Sequence, residues 1–205
     1  MAATLHLILR DPQEAGDLAT SSLQLCDKHK FPQFAALSRI ALGRARAELG
    51  DVHEGIELIR EGAAETLATR NRNAISVYLH WLSEAQMFGG KISEAIESVN
   101  KAMNEEPTQL YFRPENLRLR AGLRFKRGDI ELADADFDES IALARRMGAK
   151  AWELRTAMSQ ARLLAAQGRP DQTLAILADI YNCFTEGFDT ADLKDAKQLL
   201  EQLGA

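Results

Sequence analysis

Four glycines, Gly50, Gly90, Gly128 and Gly168, recur 40, 38 and 40 residues apart, each at the same point of a repeating apolar pattern. Five residues beyond each stands a small or slim side chain, Gly55, Ala95, Ala133 and Thr173, and nine beyond stands a bulky apolar one, Ile59, Val99, Phe137 and Leu177. Seven residues before each comes another small one, Gly43, Ser83, Ala121 and Ala161. Helices that cross closely need small residues where their backbones meet and large ones beside that point to fill the gap. A period of this length carrying this pattern predicts an all-α, right-handed helical-repeat solenoid, in which each helix pair buries its apolar face against its neighbours.

The pattern places a helix tail at 3–9 and helices near 12–29, 33–49, 52–69, 71–88, 92–105, 113–127, 130–147, 150–167, 170–183 and 190–203. No linker-like stretch or shift in composition divides the chain, so one domain is expected. Its parts are a truncated first pair at 1–29, complete pairs at 33–69, 71–105, 113–147 and 150–183, and a capping helix at 190–203. Asp51 and Asp129 directly follow their glycines, where a short acceptor caps the next helix, while glycine permits the left-handed turn that ends the previous one. Pro12, Pro32, Pro114 and Pro170 fall at or near helix starts, where a missing N–H costs nothing. Stepping back 40 residues from Gly50 reaches Arg10, so the chain begins inside the pattern and reads as a fragment of a longer polypeptide. The C-terminal segment breaks the repeat. Leu193, Ala196, Leu199, Leu200 and Leu203 form one apolar stripe opposite Asp192, Lys194, Asp195, Lys197 and Glu201, as a solenoid end requires, and Phe184 and Phe188 are expected to dock it. With no equivalent cap at the N-terminus, the apolar edge there predicts a surface for homodimerisation.

Composition narrows the function. A net charge of −5 argues against an electrostatic nucleic-acid binder, which needs a basic stripe. The opening run from Met1 to Arg10 lacks a basic leader and is far too short to span a bilayer, so neither export nor a membrane partner is expected and a cytoplasmic protein is the default. Cys26 and Cys183 have no CxxC partner and read as free thiols. No phosphate-binding G-x-x-x-x-G-K-[ST] loop, serine elbow or zinc spacing occurs, and His6, His29, His53 and His80 are scattered over different helices. These absences point to a non-enzyme that needs no cofactor or metal. Asp134, Asp136 and Asp138 alternate as calcium-loop ligands do, but Glu139 stands where the turn glycine belongs and Arg145 where the bidentate glutamate belongs, so a solvated acidic helix face is predicted.

Leu42-Gly43, Gly50 and Glu54-Gly55, repeated as Leu82-Ser83, Gly90 and Glu94-Ala95, resemble the tetratricopeptide (TPR) family in its longer-helix bacterial variant. Three segments sharpen the likeness: Arg113-Pro-Glu-Asn-Leu-Arg-Leu-Arg-Ala-Gly122, Trp152-Glu-Leu-Arg-Thr-Ala157, and the stretch from Phe184 to Lys197. In that order they resemble the C-terminal repeat region of bacterial signalling proteins that join a nucleotide cyclase or DNA-binding domain to a signal-transducing ATPase domain. The resemblance implies a sensory or regulatory tail that contacts the other domains of a parent protein. A freestanding adaptor of the same fold is the alternative, and an enzyme built on the array the weakest reading.

In the family, the first helix of each pair lines the concave groove. That places Arg44, His80, Trp81, Glu84, Arg118, Arg155 and Arg162 there as candidates. The four arginines suit an anionic effector or the carboxylates of a protein segment through paired N–H donors, and Trp81 suits an apolar anchor. The competing expectation is that the arginines pair with Glu48, Glu84 and Glu115 on the protein's own surface.

Overall fold

The computed structural model describes residues 2–68, 75–105, 110–169 and 171–204, with the backbone alone at 171–173. Among these residues every regular element is a helix: α1 (Ala2–Ile8), α2 (Pro12–His29), α3 (Pro32–Glu48), α4 (Val52–Ala68), α5 (Ile75–Phe88), α6 (Ile92–Glu105), α7 (Arg113–Arg127), α8 (Ile130–Met147), α9 (Lys150–Ala166), α10 (Asp171–Tyr181) and α11 (Ala191–Leu203). The all-α repeat array expected from the glycine spacing is the architecture found. The helix start expected at 71, Pro170 and the side chain of Thr173 lie outside the described residues. The chain divides into two compact units, 1–108 and 109–205.

In the first unit, α3 packs on α4 and α5 on α6, and the first helices α1, α3 and α5 pack in succession. The small residues explain how close the pairs come. A Cβ added to Gly43 would sit 2.6 Å from the carbonyl oxygen of Gly55, and one added to Gly55 would sit 2.5 Å from that of Gly43. In the next pair the same crossing carries Ser83, whose Oγ donates to the Ala95 carbonyl at 2.7 Å. Ile59 and Val99 fill the space beside these crossings and are buried.

Gly50, Gly90, Gly128 and Gly168 take positive φ angles of 113°, 72°, 97° and 74°, the left-handed conformation that glycine adopts without a Cβ clash. Arg10 stands one period before Gly50 and turns the chain at the same place, with φ of 64°, so the geometry of the turn persists where its usual residue is absent. The aspartates that follow these glycines are not the expected side-chain caps. Asp129 is the N-cap of α8 without a capping side-chain bond, because its carboxylate turns to Arg127, and Asp51 accepts from Arg46 Nη1 at 3.2 Å. Asp11 does cap, accepting from the Glu14 N–H at 3.2 Å.

In the second unit, α7 packs on α8 and α9, α9 on α10, and α11 closes against both α9 and α10. Leu193, Ala196 and Leu199 of α11 join Leu154, Met158, Leu177 and Ile180 in one buried core, which is the docking expected of the terminal stripe. Phe184 packs against this core, whereas Phe188 stays 48% exposed and only meets the edge of Tyr181. The expected acidic face on α8 holds for Asp138 but fails for Asp136, which is 3% exposed. Arg120 grips Asp136 with Nε at 2.8 Å and Nη2 at 2.6 Å, and Arg124 Nη1 adds a third bond at 2.6 Å, because α7 brings both arginines over the start of α8.

Candidate functional site

The first helices of the pairs carry all seven sequence candidates, and the two units are taken in turn. In the first, Arg44 of α3 meets Glu84 of α5 one repeat later: Nε donates to Oε2 at 2.7 Å, while Nη1 donates to Glu48 Oε2 at 2.7 Å one turn along its own helix. Its guanidinium carbon also lies 5.0 Å from the centroid of the Phe88 ring, a cation–π distance. His80 Nε2 stands 3.6 Å from Glu84 Oε2. Arg44 and His80 are buried, and the Glu84 side chain keeps 14% of its exposure. Burial alone disfavours the charged forms on both sides of the pair. For Arg44 that pull is overruled by Glu84 and then Glu48, which raise its pKa; for Glu84 it is overruled by Arg44 and then His80, which hold its carboxyl well below the ordinary value.

Trp81 is 5% exposed and tilts against Tyr78, with ring centroids 6.4 Å apart. The indole expected as a groove anchor is therefore taken up by packing. The cause is legible in the continuous run Ile75-Ser-Val-Tyr-Leu-His-Trp81, all of it buried, since α5 packs against α3, α4 and α6 together. Large apolar side chains on successive sides of a helix mark one that its neighbours enclose.

In the second unit Arg118 forks onto Glu115 of its own helix, with Nε at 3.0 and 3.1 Å from the two oxygens and Nη2 at 2.8 Å from Oε2. Its Nη1 reaches across to Ser159 Oγ of α9 at 3.5 Å. Arg155 Nε donates to Asp192 Oδ2 of α11 at 2.7 Å, and its guanidinium lies 5.1 Å from the Trp152 ring centroid. Trp152 in turn packs edge-on to Phe112, centroids 5.5 Å apart, and donates Nε1–H to the Tyr111 carbonyl at 3.2 Å. Arg162 is looser, 3.8 Å from Asp195 with its side chain 51% exposed.

The arrangement is a ladder: in each unit an arginine of one first helix reaches a polar partner about one repeat further on. Of the carboxylates expected as partners, Glu48, Glu84 and Glu115 all serve, while Asp192 and Asp195 are hidden from sequence reasoning because their helix lies outside the repeat. Among the described residues no group of His, Cys, Asp and Glu is placed to hold a metal, and no helix is long and apolar enough to cross a membrane. A shallow cavity of about 320 Å³ opens between α8, α9 and α10 over Ile141, Leu164 and Ile176. Its polar rim is internally occupied: Gln160 donates to Asp138 at 3.4 Å, and Arg145 turns to the buried Glu153.

No protein-family model matches the chain, and a comparison with curated protein sequences finds no match. Solved structures do resemble it. A crystal structure of kinesin light chain-like, nearly identical TPR-like repeats from Podosopora anserina superimposes with a TM-score of 0.59 at 18% identity, covering 99% of this chain and 90% of that one. A point variant of that same protein superimposes with a TM-score of 0.60 at 19% identity over the same shares. At this identity the likeness establishes a TPR-like repeat fold.

Proposed function

We propose that the chain is a non-catalytic scaffold whose first-helix face receives a segment of a protein partner. The observation that carries this reading is the ladder itself. Arg44, Arg118 and Arg155 already meet carboxylates at hydrogen-bond distance, so a bare anion would compete with an internal carboxylate for each positive charge. A peptide does not face that cost, because it brings donors as well as acceptors and can add bonds to the more open Arg162 and Asp195, 51% and 33% exposed, without parting them. The carboxylates of the ladder are held in ion pairs with its arginines, which favours a binding role.

In its finer form the proposal is that this face serves as the C-terminal regulatory part of a larger signalling ATPase. Its support is that two of the three segments carrying the resemblance are joined by an ion pair, and that the first lies on α7, which packs on the α9 of the second. Arg113–Gly122 supplies the Glu115–Arg118 fork, Trp152–Ala157 supplies Trp152 and Arg155, and the terminal segment supplies Asp192, which closes on Arg155.

The test sets a displayed peptide library and a panel of phosphorylated and carboxylated metabolites against the same folded chain, read by calorimetry and thermal shift. A peptide that saturates one site and loses at least tenfold in affinity with Arg162→Glu is the expected result. A metabolite that raises the melting temperature, with the rise lost in Arg155→Ala, replaces the peptide reading with an effector-binding one; a chain that binds neither overturns both. The finer form predicts that deleting the repeats from a parent ATPase changes its response to signal, and an unchanged response overturns it.

A further inference from the structure

Among the described residues the three most exposed large apolar side chains are Phe34 at 59%, Leu25 at 58% and Phe31 at 55%, and all three stand in or beside the turn between α2 and α3. They form a connected strip. Leu25 lies one turn before His29 on α2, the His29 ring stacks on Phe31 with centroids 6.3 Å apart, and Phe31 meets Phe34 edge-on at 6.5 Å. Lys28 and Lys30 flank the strip, neither in an ion pair among the described residues, and the segment Leu25-Cys-Asp-Lys-His-Lys-Phe-Pro-Gln-Phe34 holds a single acid, Asp27. In a chain of net charge −5 this turn is locally basic.

The turn is also fixed. Lys30 takes the left-handed conformation with φ of 58°, the Phe31 N–H closes onto the Cys26 carbonyl at 2.9 Å, and Pro32 opens α3. The apolar tips are therefore held outward before any partner arrives, and no backbone ordering cost is left for binding.

We propose that the α2–α3 turn is a docking point for an anionic lipid surface, with Leu25, Phe31 and Phe34 entering the interfacial layer and Lys28 and Lys30 meeting acidic headgroups. Apolar tips beside lysines outside any ion pair are the composition of side chains that lie in a membrane interface. Self-association through the strip is disfavoured, because a symmetric contact would set Lys28 and Lys30 of one copy against those of the other. The attachment is superficial and reversible: each lysine contributes about fivefold in partitioning to an anionic surface. It is independent of the first-helix face and stands or falls separately from the scaffold reading.

The experiment is sedimentation of the whole chain with vesicles of phosphatidylcholine alone and of equal parts phosphatidylcholine and phosphatidylserine. The chain is expected to pellet with the anionic vesicles at low salt and to be released as salt shortens the screening length. Phe31→Ser with Phe34→Ser lowers partitioning at least about tenfold. Lys30→Gly separates binding from folding: it relieves the left-handed strain and raises the melting temperature, while partitioning falls about fivefold. A chain that stays in the supernatant, that pellets equally with neutral vesicles, or that binds undiminished in the phenylalanine variant overturns the proposal. So does self-association in the ultracentrifuge that those same two substitutions abolish.

Discussion

Arg44 and Glu84 stand 40 residues apart in the chain and 2.7 Å apart in space, Nε to Oε2, so a single ion pair spans one full repeat. Both side chains are largely withdrawn from water, at 8% and 14% exposure. Removing one member of such a pair costs more than the pair itself contributes, because the other charge stays behind. Arg44→Ala is expected to destabilise the chain by about 3 kcal/mol in urea unfolding, and Arg44→Met with Glu84→Leu by clearly less. A double variant that loses as much as Arg44→Ala and Glu84→Leu added together would mean that the pair is not coupled.

The same pair sets an acid limit. Burial pushes the Glu84 carboxyl up, but Arg44 and then His80 hold it well below its ordinary value. A depressed folded-state pKa contributes stability that is fully present above the unfolded value, about 4.3, and is lost as pH falls through the folded one. Glu84→Gln should therefore be less stable than wild type at pH 7, with the gap closing as acid protonates the wild-type carboxyl. Urea titrations at pH 7 and pH 3 check this, and a constant gap contradicts it.

Glycine has two opposite meanings in this chain. At Gly43 an added methyl would press within 2.6 Å of a backbone oxygen on α4, which cannot yield as a side chain would, so Gly43→Ala should cost about 1–3 kcal/mol. Gly122, inside α7, has nothing within 4 Å of the same position, and Gly122→Ala should stabilise by about 0.5–1 kcal/mol. Thermal unfolding of the two variants is expected to move in opposite directions.

Asp136 and Asp138 offer a matched contrast on α8. Asp136→Asn weakens the hold on two arginines and should cost about 2–3 kcal/mol, whereas Asp138→Asn, on the exposed side, should change stability by less than about 0.5 kcal/mol. Denaturant midpoints of the two variants compare them directly.

These contrasts show where sequence reasoning succeeds and where it stops. Turns are local: a left-handed glycine before one helix and a proline at the start of another are written in neighbouring residues. The bounds of α2, α6, α7 and α8 follow from such signals, and the Gly43–Gly55 crossing follows from the period. Side-chain partners are not local. Nothing in the spacing of Asp134, Asp136 and Asp138 says that two arginines of the preceding helix will close over the middle one, and Asp192 cannot be matched to Arg155 without knowing that α11 folds back on α9. Trp81 departs from expectation for a different reason: its repeat position points to the groove, while the large apolar residues Ile75, Val77, Tyr78 and Leu79 before it, on successive sides of α5, mark a helix enclosed by neighbours, and these prevail.

The way α11 closes the second unit has a consequence for how such a chain can change. Arg155 reaches Asp192 on α11 as Arg44 reaches Glu84 on α5, so the helix outside the repeat is joined by the same kind of clasp as one within it. A junction of this kind is interchangeable: a further helix pair inserted between Tyr181 and Ala191 would have to present an acid to Arg155, a new arginine to Asp192 and an apolar face to Leu193, Ala196 and Leu199. Repeat and non-repeat helices of this protein are thus joined by one grammar, a clasp laid over an apolar seam.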